Sequence, residues 1–400
     1  MVSTSQKKAI SKEEQVCAHN YKPLPVVLSR GRGAWLWDVD GNKYLDMMSA
    51  YSAVSHGHSH PRLLAALNRQ AQRLAIPSRA FYNDTLGPFL EKICEISGLD
   101  MALPMNTGAE AVETAIKAAR RWGYRVKNIE QDKAEIIVAE NNFHGRTSTI
   151  VGFSTSHDAR ADFGPFTPGF KAIPFGDAKA LEEAITPNTC AFLVEPIQGE
   201  AGIILPPEGW LMDVRRICDK NNVLLILDEI QSGLGRTGKM FAFEHEGIKP
   251  DGLILGKALG GGMMPVSCVV GIKEMMTLFS PGSHGSTFGG NPLAAAVGLE
   301  ALKVIDDEKL TERSAELGAY LKEKLEGMKS PLFKKIRGRG LWVGVDVDGD
   351  KVSAYDLCQS LLKKGVLAKE TQKTTIRFAP PLVITKDEID WAIRQLEACL

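Results

Sequence analysis

Several features that would direct a chain to a membrane, a nucleic acid or an oxidising compartment are missing from this sequence. No apolar run reaches the ~18 residues that a membrane-crossing helix needs. Net charge is absent too, with 48 basic against 48 acidic side chains, so no whole-molecule field draws the protein to nucleic acid or anionic lipid. There is no Cys-x-x-Cys pair. The seven cysteines, at 17, 94, 190, 218, 268, 358 and 399, are odd in number and scattered, which argues against a disulfide framework or a zinc ribbon and fits a reducing compartment. The opening stretch MVSTSQKKAISKEEQ has no apolar core and no arginine and carries two glutamates, so the expected location is the cytoplasm, with a frayed start. Repeats, low-complexity tracts and Pro/Ser-rich linkers are lacking as well. What remains is a chain of 400 residues, 44% hydrophobic and 24% charged, large enough for one big core and a smaller satellite domain. Small-molecule chemistry is the default expectation.

From about residue 100, short apolar runs alternate with helix-length segments: EIIVAE (135–140), AFLVEP (191–196), VLLILDE (223–229), GLILG (252–256) and VSCVVG (266–271). Strands that are apolar throughout predict a mostly parallel sheet covered by helices on both faces, an α/β architecture. The segment after Asn106-Thr107-Gly108 predicts a helix with Ala111, Ala115, Ala118 and Ala119 on one close-packing face. Beyond about 290, helical patterns over 292–306 and 308–328 lead into IRGRGLWVGVDV (336–347), a helix near 354–364, TIRFAP (374–379) and a last helix from 385, which predicts a separate small α+β domain.

Three stretches carry candidate chemistry. GLGRTG (233–238) matches the dinucleotide pattern G-x-G-x-x-G, which would make the chain an NAD-dependent oxidoreductase. Its context fails, because the glycines do not follow the strand directly, no helix opens there, and Ala258 occupies the position of the acidic ribose partner. SHGHSHP puts His56, His58 and His60 at alternate positions, a spacing that suits zinc on a strand. No cysteine or acid flanks them, and Pro61 marks the first turn of a helix, so no metal is expected. The third candidate is Asp228 with Lys257. Both fall at the carboxyl ends of predicted parallel strands, where open α/β sheets bind ligands. A lysine to form a Schiff base and a carboxylate to keep a pyridine nitrogen protonated are the parts that pyridoxal phosphate chemistry requires. The start of the helix after Thr107 offers free amides and a positive dipole end to a phosphate.

With these residues in place, NTGAEAVETAIKAAR, VEPIQGEAG, LLILDEIQSGLGRTG, LILGKALGGG and HGSTFGGNP resemble the subgroup III pyridoxal phosphate aminotransferases of fold type I, over nearly the whole chain and in order. Within that subgroup AHNYKPLPVVLSRGRG, SAYSAVSHGHSHP, SRAFYND, NFHGRT, FGPFTPGF and TIRFAPPLVI are similar to the ornithine δ-aminotransferase branch, rather than to acetylornithine, 4-aminobutyrate or lysine enzymes. The resemblance implies an N-terminal segment (1–45) packing with the small domain, a large cofactor domain (46–295) with a seven-stranded-type sheet, and a small domain (296–400). It implies pyridoxal 5'-phosphate as cofactor, ping-pong exchange between ornithine and 2-oxoglutarate, and a homodimer.

The same resemblance assigns residues. Thr107, Gly108 and Ala109 would hold the phosphate, with Ser286 and Thr287 reaching it from a second subunit. Phe143 would stack on the ring, Gln231 would bond its hydroxyl, and Glu195 would stand behind it. Arg146 would take the distal carboxylate of either substrate, and Tyr21 and Tyr51 the α-amino end of ornithine. Arg377 would bind the α-carboxylate of glutamate and be masked by Glu200 when ornithine enters. Phe288 stands where relatives often carry Tyr, which would cost one hydroxyl near the phosphate. Lys257→Ala should abolish turnover and leave the fold intact, as read by single-turnover kinetics and circular dichroism. Appreciable residual transamination would remove Lys257 from its role.

Overall fold

The computed structural model describes residues 3–400. Its centre is a seven-stranded sheet made of β4 (Met101–Met105), β5 (Glu135–Ala139), β6 (Phe170–Ile173), β7 (Thr189–Val194), β8 (Leu224–Asp228), β9 (Gly252–Leu255) and β10 (Ser267–Gly271). The spatial order is β4-β10-β9-β8-β7-β5-β6, parallel from β9 through β6, with β10 antiparallel to both β4 and β9. Every residue of β7, β8, β9 and β10 is buried, as the unbroken apolar runs predicted.

The helix Gly108–Arg125 packs on this sheet through Ala111, Ala115, Ala118 and Ala119, which are fully buried. Its start is fixed by a capping box between Thr107 and Glu110. Helix Pro292–Asp307, capped by Asn291 with Pro292 in its first turn, packs on helices Pro61–Ala71 and Leu86–Ser97. It runs unbroken across residues 295 and 296, where the sequence places a domain boundary; the cap, not the change of periodicity, sets where this element begins.

Two smaller sheets flank the core. The first joins β1 (Leu28–Arg32), β2 (Trp35–Asp38) and β3 (Lys43–Asp46) to β13 (Val366–Leu367), so N-terminal and C-terminal segments share one sheet. The second orders β11 (Phe333–Gly338), β12 (Val343–Val347), β15 (Thr375–Phe378) and β14 (Lys369–Thr371) as β11-β12-β15-β14, all antiparallel. The stretch IRGRGLWVGVDV is therefore a hairpin rather than one strand, turned at Arg339-Gly340, where Gly340 takes a φ of 57°.

The glycine loop 233–238 wraps a fully buried cation. Arg236 has no exposed surface; Nη1 donates to the carbonyls of Leu341 (2.9 Å) and Pro380 (2.6 Å), and Nη2 to the hydroxyls of Ser49 (3.1 Å) and Ser55 (2.9 Å). Burial pulls this guanidinium down to about 9 against the charge of Asp46, so it stays a cation at neutral pH. Nothing in the loop resembles a dinucleotide cradle, because its glycines serve the approach of neighbouring backbone. The α-carbon of Gly340 lies against Gly318 in the helix Leu310–Gly327, and a Cβ at 318 would fall onto the Gly340 backbone. Gly318→Ala should thus destabilise the protein by about 3 kcal/mol through forced separation of helix and hairpin, measured by denaturant unfolding. A loss under ~0.5 kcal/mol would show that the two elements separate freely.

Candidate active site

Two consecutive carboxylates end β8, and the alternation of a strand sends them to opposite faces. Glu229 turns away from the cofactor-facing side and accepts from Ala242 N (2.7 Å), Phe243 N (3.0 Å) and Ser232 Oγ (3.1 Å), tying β8 to the loop after the glycines. Asp228 faces a cavity of about 210 Å³ lined by Gly108, Ala109, Phe143, Glu195 and Lys257 among others. Its Oδ1 accepts from Ile230 N at 3.1 Å, and Oδ2 lies 2.7 Å from His144 Nδ1.

His144 is a functional residue that the sequence reading missed, although it lies inside the quoted NFHGR. It is buried, and burial opposes its protonation, but the hydrogen bond and charge of Asp228 together with the charge of Glu195 win and raise its pKa. Its Nε2 is buried without a partner. An imidazole beside a carboxylate fixes the orientation of that carboxylate, a signal that a residue-by-residue scan does not carry.

Lys257 follows β9 by two residues and takes a φ of 44°, which turns its side chain back over the strand end into the cavity. Desolvation pulls the amine below its ordinary pKa, opposed by the carboxylates Glu200, Asp228 and Glu195 and assisted by Arg377. No carboxylate of the described residues lies within ion-pair distance of it. Glu195 stands at the back, where its Oε2 accepts from Phe143 N (3.0 Å) and Oε1 from Gly199 N (3.2 Å), holding the loop that brings Phe143 to the cavity. Burial pushes Glu195 up to about 7, with the charge of His144 opposing and that of Asp228 adding. The Arg146 guanidinium lies 5.4 Å from the centre of the Phe143 ring.

The helix start completes one wall. Thr107 is consumed as its cap, its hydroxyl accepting from Glu110 N at 3.2 Å while the Glu110 carboxylate takes Thr107 N at 2.7 Å. Gly108 and Ala109, both lining the cavity, have amides ahead of the first helical hydrogen bond and therefore free for an anion. Ser286 leans on Asn106 of its own chain (Oγ to Nδ2, 2.9 Å), and Thr287 and Phe288 are exposed.

On the small-domain side, Arg377 on β15 is buried and pairs with Glu200 at 2.6 Å, leaving its Nε without a partner. Its guanidinium stands 5.2 Å from the centre of the Tyr51 ring. Burial raises the pKa of the Tyr51 phenol, with Arg377 opposing. Gln231 Nε2 reaches Tyr51 O at 3.5 Å, and Tyr21, in the isolated chain, is mostly exposed. Tyr51 belongs to a left-handed turn: Ser49, Ala50, Tyr51 and Ser52 have φ of 44°, 48°, 58° and 73°. Four consecutive L-residues there cost ~1–2 kcal/mol each, so surrounding contacts must impose the conformation.

The three histidines of SHGHSHP separate. His56 bonds Ala301 O (2.9 Å), His58 bonds Asp46 Oδ2 (2.7 Å) and His60 meets Glu308 Oε1 (3.1 Å), so they do not converge on a point. A half-buried amine without an ion pair, a carboxylate at the strand end, free amides at a helix start and a ring-bearing loop between them fit pyridoxal 5'-phosphate.

Comparison with known proteins agrees with this geometry. The family model "Aminotransferase class-III" matches residues 16–400. Ornithine aminotransferase of Geobacillus sp. (strain WCH70) is 60% identical, covering 96% of each chain. An ornithine aminotransferase structure from Toxoplasma gondii, described as holding PLP at partial occupancy in its active site, superposes with a TM-score of 0.97 at 47% identity over 98% of this chain and 93% of that one. Acetylornithine aminotransferase from Elizabethkingia anophelis gives 0.90 at 48% identity over 98% of each.

Burial pushes Glu229 up to about 7 from 4.5, outweighing its three donors. The folded state therefore holds this proton more tightly than the unfolded chain. Stability supplied by the neutral carboxyl is complete below 4.5 and is lost as pH rises through about 7. Glu229→Gln should gain on the parent across that window by on the order of 3 kcal/mol, read from unfolding midpoints at several pH values. A pH-independent difference would mean that the donors keep the carboxylate ionised throughout.

Proposed function

The chain belongs to the class-III aminotransferases, and from that premise we propose that it transfers the δ-amino group of L-ornithine to 2-oxoglutarate, giving glutamate 5-semialdehyde and glutamate. It is a pyridoxal phosphate-dependent transferase. The observation that carries the choice of substrates is the Glu200–Arg377 pair, held at 2.6 Å with its guanidinium over the Tyr51 ring and close enough for both charges to act on Lys257.

When bound, pyridoxal 5'-phosphate supplies an aldehyde that amines condense with and a ring that accepts the electron pair released from the substrate carbon. Gly108 and Ala109 would hold the phosphate, and Phe143 would pack against the ring. Asp228, oriented by His144, would keep a positive charge on the ring nitrogen, and Gln231 would bond the ring hydroxyl. Ser286 and Thr287 serve the phosphate of a neighbouring subunit, which makes the working unit a homodimer; the exposure of Thr287 and Phe288 in the isolated chain supports this. Lys257 Nζ, its pKa lowered by desolvation, would take the proton from the carbon that carries the amine and deliver it to the cofactor carbon that carried the aldehyde. Seven free cysteines support a reducing, cytoplasmic setting. Among the described residues no helix is long and apolar enough to cross a membrane.

Two substrates must share this pocket in turn. Ornithine reacts at a carbon that bears no carboxylate, whereas glutamate reacts at one that does. A positive charge is thus required for one and must be hidden from the other. Glu200 neutralises Arg377 while ornithine reacts, and it gives way when a dicarboxylate offers the guanidinium a better-matched partner. Arg146 receives the distal carboxylate of either molecule, and Tyr51 with Tyr21 receives the α-amine of ornithine.

Glu200→Ala should expose Arg377 permanently. Glutamate should then bind several-fold tighter, while kcat/KM for ornithine at its δ-amine falls on the order of tenfold, because its α-carboxylate is drawn to the freed arginine and presents the wrong amine. Half-reactions with ornithine, N-acetylornithine and glutamate, followed by product analysis, read this directly. Equal losses for glutamate and ornithine would reject the gate, and N-acetylornithine outperforming ornithine in the parent enzyme would reject the substrate.

A further inference from the structure

We propose that Arg236 is a positioning residue for donor selection: through Ser49 and Ser55 it locks the left-handed turn that presents Tyr51, and through Pro380 it ties that turn to the strand end that carries Arg377. This rests on the reading of Tyr51 as a contact for ornithine.

The turn has backbone bonds of its own, from Tyr51 N to Met48 O (3.1 Å) and from Val54 N to Ser49 O (3.0 Å), but they work against its strain. Ser49, Ala50, Tyr51 and Ser52 all have positive φ, none is glycine, and such a run relaxes unless its neighbours forbid it. The bonds that restrain it come from two sides. Asp46 Oδ1 accepts from Met48 N and Ser49 N, both at 2.8 Å, and fixes the entry. Arg236 Nη2 donates to Ser49 Oγ and Ser55 Oγ, which bracket the turn, at 3.1 and 2.9 Å. Those hydroxyls pass their own protons on, Ser49 to Ala379 O (2.6 Å) and Ser55 to Ser52 O (3.0 Å). The other guanidinium nitrogen grips Leu341 O and Pro380 O. Four of the five N–H groups of Arg236 are therefore spent on backbone and hydroxyl oxygens, and the fifth, on Nε, is buried without a partner.

The consequence is a fixed spacing. Residues 379 and 380 lie two and three positions beyond Arg377, and Ser49 lies two before Tyr51. Arg236 and Ser49 join these segments directly, so the 5.2 Å separation between the Arg377 guanidinium and the Tyr51 ring is set from behind by groups that no substrate touches. A lysine could keep the charge but not the forked geometry.

The test uses the purified holoenzyme and half-reactions with ornithine and with glutamate. Ser49→Ala/Ser55→Ala releases the turn and leaves Arg236 on its carbonyls. Ornithine KM should rise about tenfold with kcat little changed, while glutamate KM stays within about twofold. Arg236→Lys, which also frees Pro380, should raise KM for both donors. Cofactor absorbance should be retained in each. A purely structural role would reduce bound cofactor and kcat for both donors alike, and that pattern overturns the proposal. Should the double variant fold poorly, Ser55→Ala alone should show the same split in smaller measure, and no split there is equally fatal. Tyr51→Phe separates the two readings. If it raises ornithine KM and the serine changes then add nothing further, the positioning role holds. If it raises ornithine KM but the serine changes do not, Arg236 has no such role. If it leaves ornithine unaffected, Tyr51 is not a contact and the proposal falls with it.

Discussion

A mostly parallel sheet buried on both faces has little place for charge except where its strands end. β8 is apolar up to Asp228, its last residue, β9 is apolar throughout, and the chain then delivers Glu229 just past β8 and Lys257 two residues past β9. Because none of these groups reaches bulk water freely, each must find a partner or change its protonation. Glu229 finds two amides and a hydroxyl, Asp228 finds His144, and Lys257 is left desolvated without an ion pair. An amine in that condition is a reagent. The chemistry of the site thus follows from where a buried sheet is forced to end.

That part of the molecule was legible because it depends on local pattern. Unbroken apolar runs gave β5, β7, β8, β9 and β10 within a residue or two, and the small-residue face of Gly108–Arg125 was visible as alanines at helical spacing. The pairing of Asp228 with Lys257 needed only the rule that open sheets bind at strand ends. The hairpin at Arg339-Gly340 is hidden in the sequence, because Gly and Arg interrupt a run of β-formers without a two-residue turn signature. Its geometry answers instead to Gly318 on a distant helix, which has no local trace.

His144 and Arg236 stayed invisible for a related reason. A histidine in a loop and an arginine among glycines have no periodicity, and what defines them is the company that folding brings. Arg236 collects oxygens from residues 49, 55, 341 and 380, separations that no window spans. The left-handed turn at 49–52 is the extreme case. Sequence propensity argues against it at every position, since serine, alanine and tyrosine all avoid positive φ, and it exists because tertiary bonds outweigh local preference.

These two kinds of order divide the labour of the site. Asp228 ends one buried strand and Lys257 follows another by two residues, which are rigid supports of the kind that the proposed proton transfer at a fixed carbon needs. Groups that select between substrates on the proposed reading, Tyr51, Glu200 and Arg377, sit on a strained turn, a loop and the small-domain sheet, outside the buried strands of the large sheet. Arg377 illustrates the balance. It is buried with one carboxylate partner and an unpartnered Nε, so its desolvation is only partly offset, and an incoming dicarboxylate that engages both nitrogens gains what Glu200 leaves unsatisfied. Incomplete satisfaction of a buried cation is a cost in stability, and on the proposed reading it is also the driving force that lets one carboxylate replace another.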